Sequence, residues 1–411
     1  MKSIVIIADD LTGAVDTTAC LTRYGATNIV SLSPDAPVLG DEQVHAINAA
    51  TRERKLQEAR DVHRNLCNAV DMHGRIIIKK TDMGFRGNHG GEIEGLLLGL
   101  DADVCYVVNS IPDHKAFVLD GRQYVKSKLL TQSMYAQDPS HNPKTSDISE
   151  ILGEQTRLPI GNVKLEKLRT GQTAGAVHKL VREGKRILIF DVMNEQDCDA
   201  IVRTTLALPY RAIWAGTLGL MDALGRNLFT QEGRVPTLRE HPPRCLCFSG
   251  SNYSTVQRQI QSALQTGLLC VPLDMDKCLA ADEEKVEEIR RCIALCRTHN
   301  QRENVLLTLH LSPENKRPGI GKVLLDIFTD CAKQLCDLCH YERLVIIGGE
   351  TTAAIFNALH VERLTITACL ETGVALGHLD GGPYNGLSFA CKGGSVGTDD
   401  ALCKMLFSRL D

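Results

Sequence analysis

Two adjacent carboxylates, Asp9 and Asp10, end an apolar run and lead into Leu11, Thr12, Gly13, Ala14 and Asp16. Like charges crowded at the end of a strand repel unless a cation or a hydroxyl meets them. Thr12 and Gly13 suit close approach of the backbone to a ligand. Asp10 or Thr12 would also cap the helix that follows, which accounts for one of these residues but not for the cluster. A second turn carries Lys79, Lys80, Thr81, Asp82, Met83, Gly84, Phe85, Arg86, Gly87 and Asn88. Lys80 and Arg86 suit a carboxylate, the arginine bidentately, while Asp82 and Asn88 suit hydroxyls. Both signs of charge in one turn fit a polyhydroxy acid; a solvated loop closed by ion pairs is the plainer reading. Thr51 and Arg52, after the apolar run 44–49, join these turns if their strands share one edge of a sheet.

A third group of residues is chemically different. It comprises Ser249, Gly250, Ser251 and Asn252; then Gly348, Gly349, Glu350, Thr351 and Thr352; then Lys392, Gly393, Gly394, Ser395, Val396, Gly397, Thr398 and Asp399. Each segment puts glycines and hydroxyls where a strand turns towards a helix. Exposed N–H groups and the helix dipole favour phosphate there. One Gly-Gly turn is usually only a turn, but three in one domain point to a nucleotide. The stretch 319–322 lacks the spacing and the Ser/Thr of a Walker A loop, and no dinucleotide fingerprint follows the first strand. Protein-kinase motifs are absent as well.

The elements that must position these turns alternate. Apolar, strand-like runs at 4–8, 29–32, 44–49, 76–79, 104–109 and 187–190 are separated by helix-length segments, among them 13–24 and 177–182. This alternation predicts a mainly parallel sheet covered by helices. The polar stretch 231–244, with Gly233, Pro236, Pro242 and Pro243, breaks the pattern and marks a domain boundary. A second series follows, with strands at 245–248, 268–271, 305–309, 344–347 and 364–370 and helices at 285–296 and 322–338. The expected architecture is α/β, with two domains, 1–235 and 245–411, each a mainly parallel sheet flanked by helices. A chain of 411 residues exceeds what one core supports, roughly 250–300 residues.

A formal net charge of −4 and a single tryptophan offer neither the basic surface nor the stacking platform of a nucleic-acid binder. The sequence shows no signal-peptide pattern and no apolar run near the ~20 residues that span a bilayer, so a cytoplasmic protein without membrane partners is expected. The 16 cysteines are scattered and are expected to be free thiols. Cys336, Cys339 and His340 match a haem-attachment spacing, and Cys331 lies close by. Burial and chance explain the group better than a ligand does, so no metal site is assigned.

At these turns the sequence resembles a known family. Ala8, Asp9, Asp10, Leu11, Thr12, Gly13, Ala14 and Asp16 look like the signature of the four-carbon acid sugar kinases. Lys80, Thr81, Asp82, Phe85, Arg86, Gly87 and Asn88 are similar to that family's second signature. Residues 214–220 and 392–397 fit in order and spacing. The resemblance implies an N-terminal acid-sugar-binding domain and a C-terminal nucleotide-binding domain. It also implies ATP-dependent phosphorylation of D-threonate, D-erythronate or 3-oxo-tetronate at the terminal hydroxyl. One stretch departs: where the family commonly has Gly-Arg-Thr-Thr shortly after a proline, this chain has 112–117, Pro-Asp-His-Lys-Ala-Phe.

The mechanism expected from these residues places the acid's carboxylate on Arg86, with Lys80 or Arg52, and its hydroxyls on Asp82, Asn88 and Asp9. Mg-ATP, with its Mg2+, lies on the glycine turns. Asp10 is the first candidate base and Asp399 the second. A nicotinamide-dependent sugar-acid dehydrogenase and a non-catalytic metabolite-binding regulator are the rival readings. The expected partner is a small sugar acid, and a homo-oligomer is compatible with the sequence.

Overall fold

The computed structural model describes residues 3–35, 37, 39–137, 142–229, 232–240, 243–251, 253–299, 304–315 and 320–410. The chain divides into two compact units, 1–233 and 234–411. Asn252 of the first glycine turn lies outside the described residues, as do Pro242 and position 319.

In the first unit, strands β1 (Ile4–Ala8), β2 (Asn28–Ser31), β3 (Val44–Asn48), β4 (Ile76–Lys80) and β5 (Val104–Val108) come first in the chain. A small antiparallel sheet follows: β6 (Phe117–Leu119), β7 (Arg122–Val125) and β8 (Lys128–Leu129). Then come β9 (Ile160–Val163), β10 (Ile187–Phe190) and β11 (Ala212–Gly216). The main strands lie in the order β2-β3-β1-β4-β11-β5-β10-β9, every pair parallel. Strands buried on both faces read as continuous apolar runs, and β1, β4 and β5 are buried along their whole length. Strands β6–β8 have no more than four residues each, and β11 holds three small residues, Ala212, Ala215 and Gly216, so these strands were not expected. Helices α1 (Leu11–Thr22), α2 (Leu56–Ala69), α3 (His89–Gly99), α4 (Ile148–Gly153), α5 (Leu165–Arg169), α6 (Thr173–Arg182), α7 (Glu195–Leu206) and α8 (Leu218–Leu228) cover the sheet.

The second unit opens with β12 (Thr237–Leu238). Its main sheet is built from β13 (Cys245–Ser249), β14 (Leu269–Asp274), β15 (Val305–His310), β16 (Arg343–Ile347), β17 (Arg363–Glu371), β18 (Val374–Asp380) and β19 (Ser388–Lys392). The order is β14-β15-β13-β16-β19-β18-β17. The strands from β14 to β19 run parallel, but β18 is antiparallel to both of its neighbours. The two-residue link between β17 and β18, with Gly373 at φ 81°, makes a hairpin where a purely parallel continuation would need a crossover. Helices α9 (Ser254–Leu264), α10 (Met275–Ala280), α11 (Asp282–His299), α12 (Ile320–Leu338), α13 (Gly349–Ala358) and α14 (Ala401–Phe407) accompany it, and a final strand β20 (Ser408–Arg409) pairs with β12. Cys245 and Cys247 are fully buried in this unit's core beside Val345 and Leu306. All 16 cysteines are free thiols, acting here as small hydrophobes.

The helix pair that flanks the charged turns depends on missing side chains. Gly91, Gly95 and Gly99 recur every four residues along one face of α3, against α2. A β-carbon on Gly99 would sit 2.7 Å from the Cys67 sulfur, and one on Gly95 would run into the Arg60 carbonyl oxygen. Alanine would gain about 1 kcal/mol of helix propensity at position 95, but overpacking against rigid backbone costs about 1–3 kcal/mol. Gly95→Ala is therefore expected to destabilise the first unit, lowering its thermal midpoint by about 2–4 °C for each kcal/mol lost. A midpoint at or above wild type in a calorimetric scan would show that α2 and α3 can move apart freely.

Candidate active site

The register of the first sheet brings three turns to one edge. Ala8 pairs with Asn48 on one side and Lys80 on the other, and Gly216 is level with both Lys80 and Val108. The chain therefore leaves β1, β3 and β4 side by side, at the carboxyl ends where open α/β sheets bind ligands. Backbone bonds tie the turns together: the Thr51 N–H donates to the Asp9 carbonyl at 2.9 Å, and the Thr81 N–H to that of Gly216 at 2.9 Å.

Arg52 is the centre of this edge. Its Nε and Nη2 donate to the two Asp9 oxygens at 2.8 and 3.2 Å, and its Nη1 donates to Asp10 Oδ2 at 2.7 Å. Nη2 also lies 3.9 Å from Asp82 Oδ1. One guanidinium thus faces three carboxylates. Burial works against its charge, but the three anions outweigh burial and push its pKa further up. This planar fork is engaged by the protein's own acids.

The three acids have different surroundings. Asp9 is 1% exposed; burial raises its pKa, but Lys79 and Arg52 overcome that and hold it below the usual carboxylate value. Asp82 is buried too, and Arg86 and Arg52 hold it far below that value despite burial. Asp10 goes the other way: burial and the neighbouring Asp9 charge outweigh Arg52 and Lys80, so its pKa rises. Its side chain keeps 27% exposure. Asp10 also caps α1, its Oδ1 accepting the Gly13 N–H at 2.8 Å. Thr12 is half-buried in the first turn of that helix.

The second turn is organised from within. Asp82 accepts from Arg86 Nε at 3.0 Å, from Arg86 Nη2 at 2.9 Å and from the Gly84 N–H at 2.9 Å. The Arg86 guanidinium lies 5.3 Å from the centroid of the Tyr135 ring, in cation–π range. Gly87 has φ 98°, and a β-carbon there would stand 3.2 Å from Asp9 Oδ2, so only glycine fits. The Asn88 amide donates to the carbonyls of Thr51 and Arg54 at 3.2 and 2.8 Å, which splices the second turn to the Arg52 turn. Lys80, 8% exposed, donates to the Thr81 carbonyl at 2.7 Å. Sequence reasoning placed Asp82 and Asn88 on hydroxyls; here both also hold the loop together.

Residues the sequence reading passed over lie beneath these turns. Lys79 and Glu92 are fully buried and 3.0 Å apart, and Thr51 Oγ1 donates to Glu92 at 2.5 Å. His89 Nε2 accepts the Asp82 N–H at 3.1 Å. His63, also fully buried, is held neutral, with burial pushing its pKa down to about 4. The available signal was the doubled lysine at 79–80: strand side chains alternate faces, so the two cannot serve the same side. The departing stretch 112–117 begins with a 3-10 turn, Pro112–His114, that follows β5, with Pro112 half-buried and Asp113, His114 and Lys115 exposed.

In the second unit the three glycine turns meet. A β-carbon on Gly250 would stand 2.5 Å from Thr351 Oγ1, and one on Gly394 would stand 2.5 Å from Ser251 Oγ. Gly348 has φ 116° and caps α13, whose first residues are Gly349, Glu350 and Thr351. Its N–H donates to the Lys392 carbonyl at 2.9 Å. Ser249 is 3% exposed, and its hydroxyl has no partner among the described residues. Lys392 Nζ and the Gln259 amide both donate to the Val396 carbonyl, at 3.0 and 3.2 Å. These bonds hold the segment that carries Gly393, Gly394, Ser395 and Gly397 (φ 93°). Asp399 stands apart, exposed and paired with Arg258 at 2.9 Å.

Two other groups were tested as metal ligands. Cys331, Cys336, Cys339 and His340 form no metal-ligating cluster among the described residues; burial pushes the Cys336 thiol up to about 12. Asp274, Asp276 and His310 do converge, but Asp276 already accepts from the Asn315 amide at 2.7 Å and the Ser312 N–H at 3.1 Å. Among the described residues, no helix is long and apolar enough to cross a membrane.

Comparison with known proteins agrees with this division of chemistry. A family model described as a sugar-binding N-terminal domain matches residues 4–224, and one described as a nucleotide-binding C-terminal domain matches residues 246–402. The chain is 25% identical over 420 residues to a D-threonate kinase of Salmonella typhimurium, covering 98% of this chain and 97% of that protein. It is 26% identical to a 3-oxo-tetronate kinase of Pseudomonas fluorescens, covering 97% and 95%. It is 25% identical to a D-erythronate kinase of Heliobacterium modesticaldum, covering 98% and 96%. In fold it is similar to a crystal structure from Salmonella typhimurium LT2 described as a tRNA synthase, with TM-score 0.86, 20% identity and 98% of both chains covered. With both family models matched in order along nearly its whole length, the chain belongs to the four-carbon acid sugar kinase family.

Proposed function

We propose that this chain transfers the γ-phosphoryl group of Mg-ATP to the terminal hydroxyl of a four-carbon sugar acid, with Asp10 as the base. The observation that supports Asp10 is the splitting of three neighbouring acids, Asp9 and Asp82 being driven down and Asp10 up. Environments that push neighbouring pKa values apart assign acid–base roles. A carboxylate of raised pKa is the stronger base, and Asp10 is the partly exposed one of the pair that shares Arg52. Asp399, exposed and tied to Arg258, is the weaker candidate. Kinase relatives matched from end to end favour this reading over a dehydrogenase or a non-catalytic regulator.

In this reading Asp10 takes the hydroxyl proton, the freed oxygen bonds to the γ-phosphorus, and the bond from that phosphorus to ADP breaks. Arg86 orients the acid's carboxylate, and Lys80 offsets charge near Asp10. Ser249 and the N–H groups at the start of α13 face the phosphates. Mg2+ keeps most of its shell on phosphate and water and takes only one or two protein carboxylates. Glu350, exposed in the first turn of α13, fits that role. When bound, the ion neutralises phosphate charge. ADP release over a panel of D-threonate, D-erythronate and 3-oxo-tetronate, with the product identified by mass, tests the function; no turnover with any of them would overturn it.

Three variants divide the roles. Arg86→Lys keeps the charge but loses the fork that grips Asp82 and the face over Tyr135. Loss of a charge-assisted bond costs about 1.5–3 kcal/mol, so kcat/KM for the acid should fall roughly 10- to 150-fold. The fall should come largely through KM, with KM for ATP little changed. Asp10→Asn should lower kcat with modest change in either KM. Because the Asp10 pKa is raised, its ionised form is present only above that raised value, so activity is lost as pH falls through it. The acid limb of wild-type kcat/KM should therefore lie above the ordinary aspartate value of about 3.9; a limb at or below it would count against Asp10.

The third variant, Ser249→Ala, removes a buried hydroxyl that has no partner among the described residues, so stability should hold or improve. If that hydroxyl meets a phosphate, KM for ATP should rise roughly 2- to 13-fold, the equivalent of about 0.5–1.5 kcal/mol, with KM for the acid unmoved. An unchanged KM for ATP would remove Ser249 from the nucleotide site.

A further inference from the structure

Beneath the charged turns of the first unit lies an ion pair that the phosphoryl-transfer reading does not use. Lys79 and Glu92 are each 0% exposed, and their charged atoms are 3.0 Å apart. A pair buried this deeply is often no more stabilising than well-packed apolar residues of the same volume. Stability alone therefore does not explain it, and its neighbours suggest what does. The Lys79 ammonium also lies 4.0 Å from Asp9 Oδ1 and donates to the Lys80 carbonyl. The second Glu92 oxygen accepts from Thr51, the residue before Arg52. From α3, His89 Nδ1 lies 3.3 Å from Glu92 Oε2, while its Nε2 accepts the Asp82 N–H. From α2, neutral His63 faces the same pair. The charged groups around Asp9 are thus Lys79 and Arg52, and against them Glu92 and Asp10, with the His89 ring alongside.

We propose that Lys79 and Glu92 act as a positioning pair: Glu92 anchors the Lys79 ammonium, and that ammonium keeps Asp9 a carboxylate so that Arg52 stays locked between the first two turns. Without Lys79, Asp9 would be buried with only Arg52 opposing its protonation. A protonated Asp9 would release half of the Arg52 fork, and Arg52 is also what orients Asp10. That this affects catalysis rests on the proposed function; that it affects Asp9 does not.

The test uses the full chain. Lys79→Met with Glu92→Gln removes both charges together, which avoids stranding one of them, and keeps an amide oxygen for Thr51. Aspartate carboxyls are labelled with carbon-13, Asp9 is assigned through Asp9→Asn, and its titration is followed by NMR. A unit charge about 4 Å away in a protein interior is worth more than one pH unit. The Asp9 titration should move up in the double variant, by less than the loss of Lys79 alone would give, because the smaller opposing effect of Glu92 goes with it. KM for ATP should not change. A folded double variant whose Asp9 titrates as in wild type overturns the pairing. Should the double variant fail to fold, wild type decides alone: Asp9 must titrate below about 3.9, and a value at or above that overturns the proposal. Absence of wild-type turnover would overturn the proposed function instead, with the Asp9 titration still judging the pair.

Discussion

The first unit is organised around one guanidinium. Arg52 reaches Asp9 and Asp10 at 2.7–3.2 Å and stands 3.9 Å from Asp82. Three acids so close together would repel, and burial would raise all of their pKa values. With Arg52, Lys79 and Arg86 among them, Asp9 and Asp82 are held below the ordinary carboxylate value while Asp10 is shifted above it. The requirement explains features otherwise unrelated. Gly87 must be glycine because a side chain there would press on Asp9. Asn88 must reach back to the Thr51 and Arg54 carbonyls because they carry Arg52 between them. The α3 helix must lie close to α2 because it delivers Glu92 and His89 to the underside of the same cluster.

The second unit solves a different problem with different means. A polyphosphate carries its own charge, and the turns that suit it display backbone N–H groups and hydroxyls rather than buried ions. Gly250, Gly348 and Gly394 each stand where a side chain would collide with or crowd a neighbouring hydroxyl. Lys392 is nearly buried, and its ammonium holds the carbonyls of Gly393 and Val396 in place. Positioning and charge neutralisation are most of what phosphoryl transfer asks of a protein. In the proposed reading the two units divide these tasks: ionic grip on the acid, and backbone grip on the nucleotide.

Much of this was legible in the sequence, for reasons that differ by residue. The parallel strands of the first unit were readable because burial on both faces makes them plain apolar runs, as at Val104–Val108. The turns were readable because Asp9, Asp10, Arg86 and the glycines are costly residues to place without a purpose. The hairpin of β17 and β18 was half seen, because local pattern reports a strand but not the direction of its partner. The partners of the charged residues were not readable at all. Arg52 and Arg86 were expected to face a substrate, and the structure pairs them with Asp9, Asp10 and Asp82, since spacing along the chain does not report which ions meet across an edge. Glu92 was invisible because it sits in an otherwise apolar, glycine-rich helix and only the fold turns it towards Lys79.

Those pairings bear on how an anionic substrate can be admitted. Arg52 and Arg86 already contact carboxylates, so an incoming acid does not meet bare cations and must share them. Sharing is feasible because a guanidinium has five donors in a fixed plane, and Asp9 and Asp10 engage three of those of Arg52. It is also selective. A ligand that brings a carboxylate but no hydroxyl would add negative charge beside Asp9, Asp10 and Asp82 without offering them a donor. A hydroxy acid brings both, its carboxylate joining the cations while its hydroxyls donate to the aspartates. If this edge binds the acid as proposed, a preference for polyhydroxy acids over simple carboxylates follows from its charge balance, in which Arg52 and Arg86 are already matched by acids that need a donor in return.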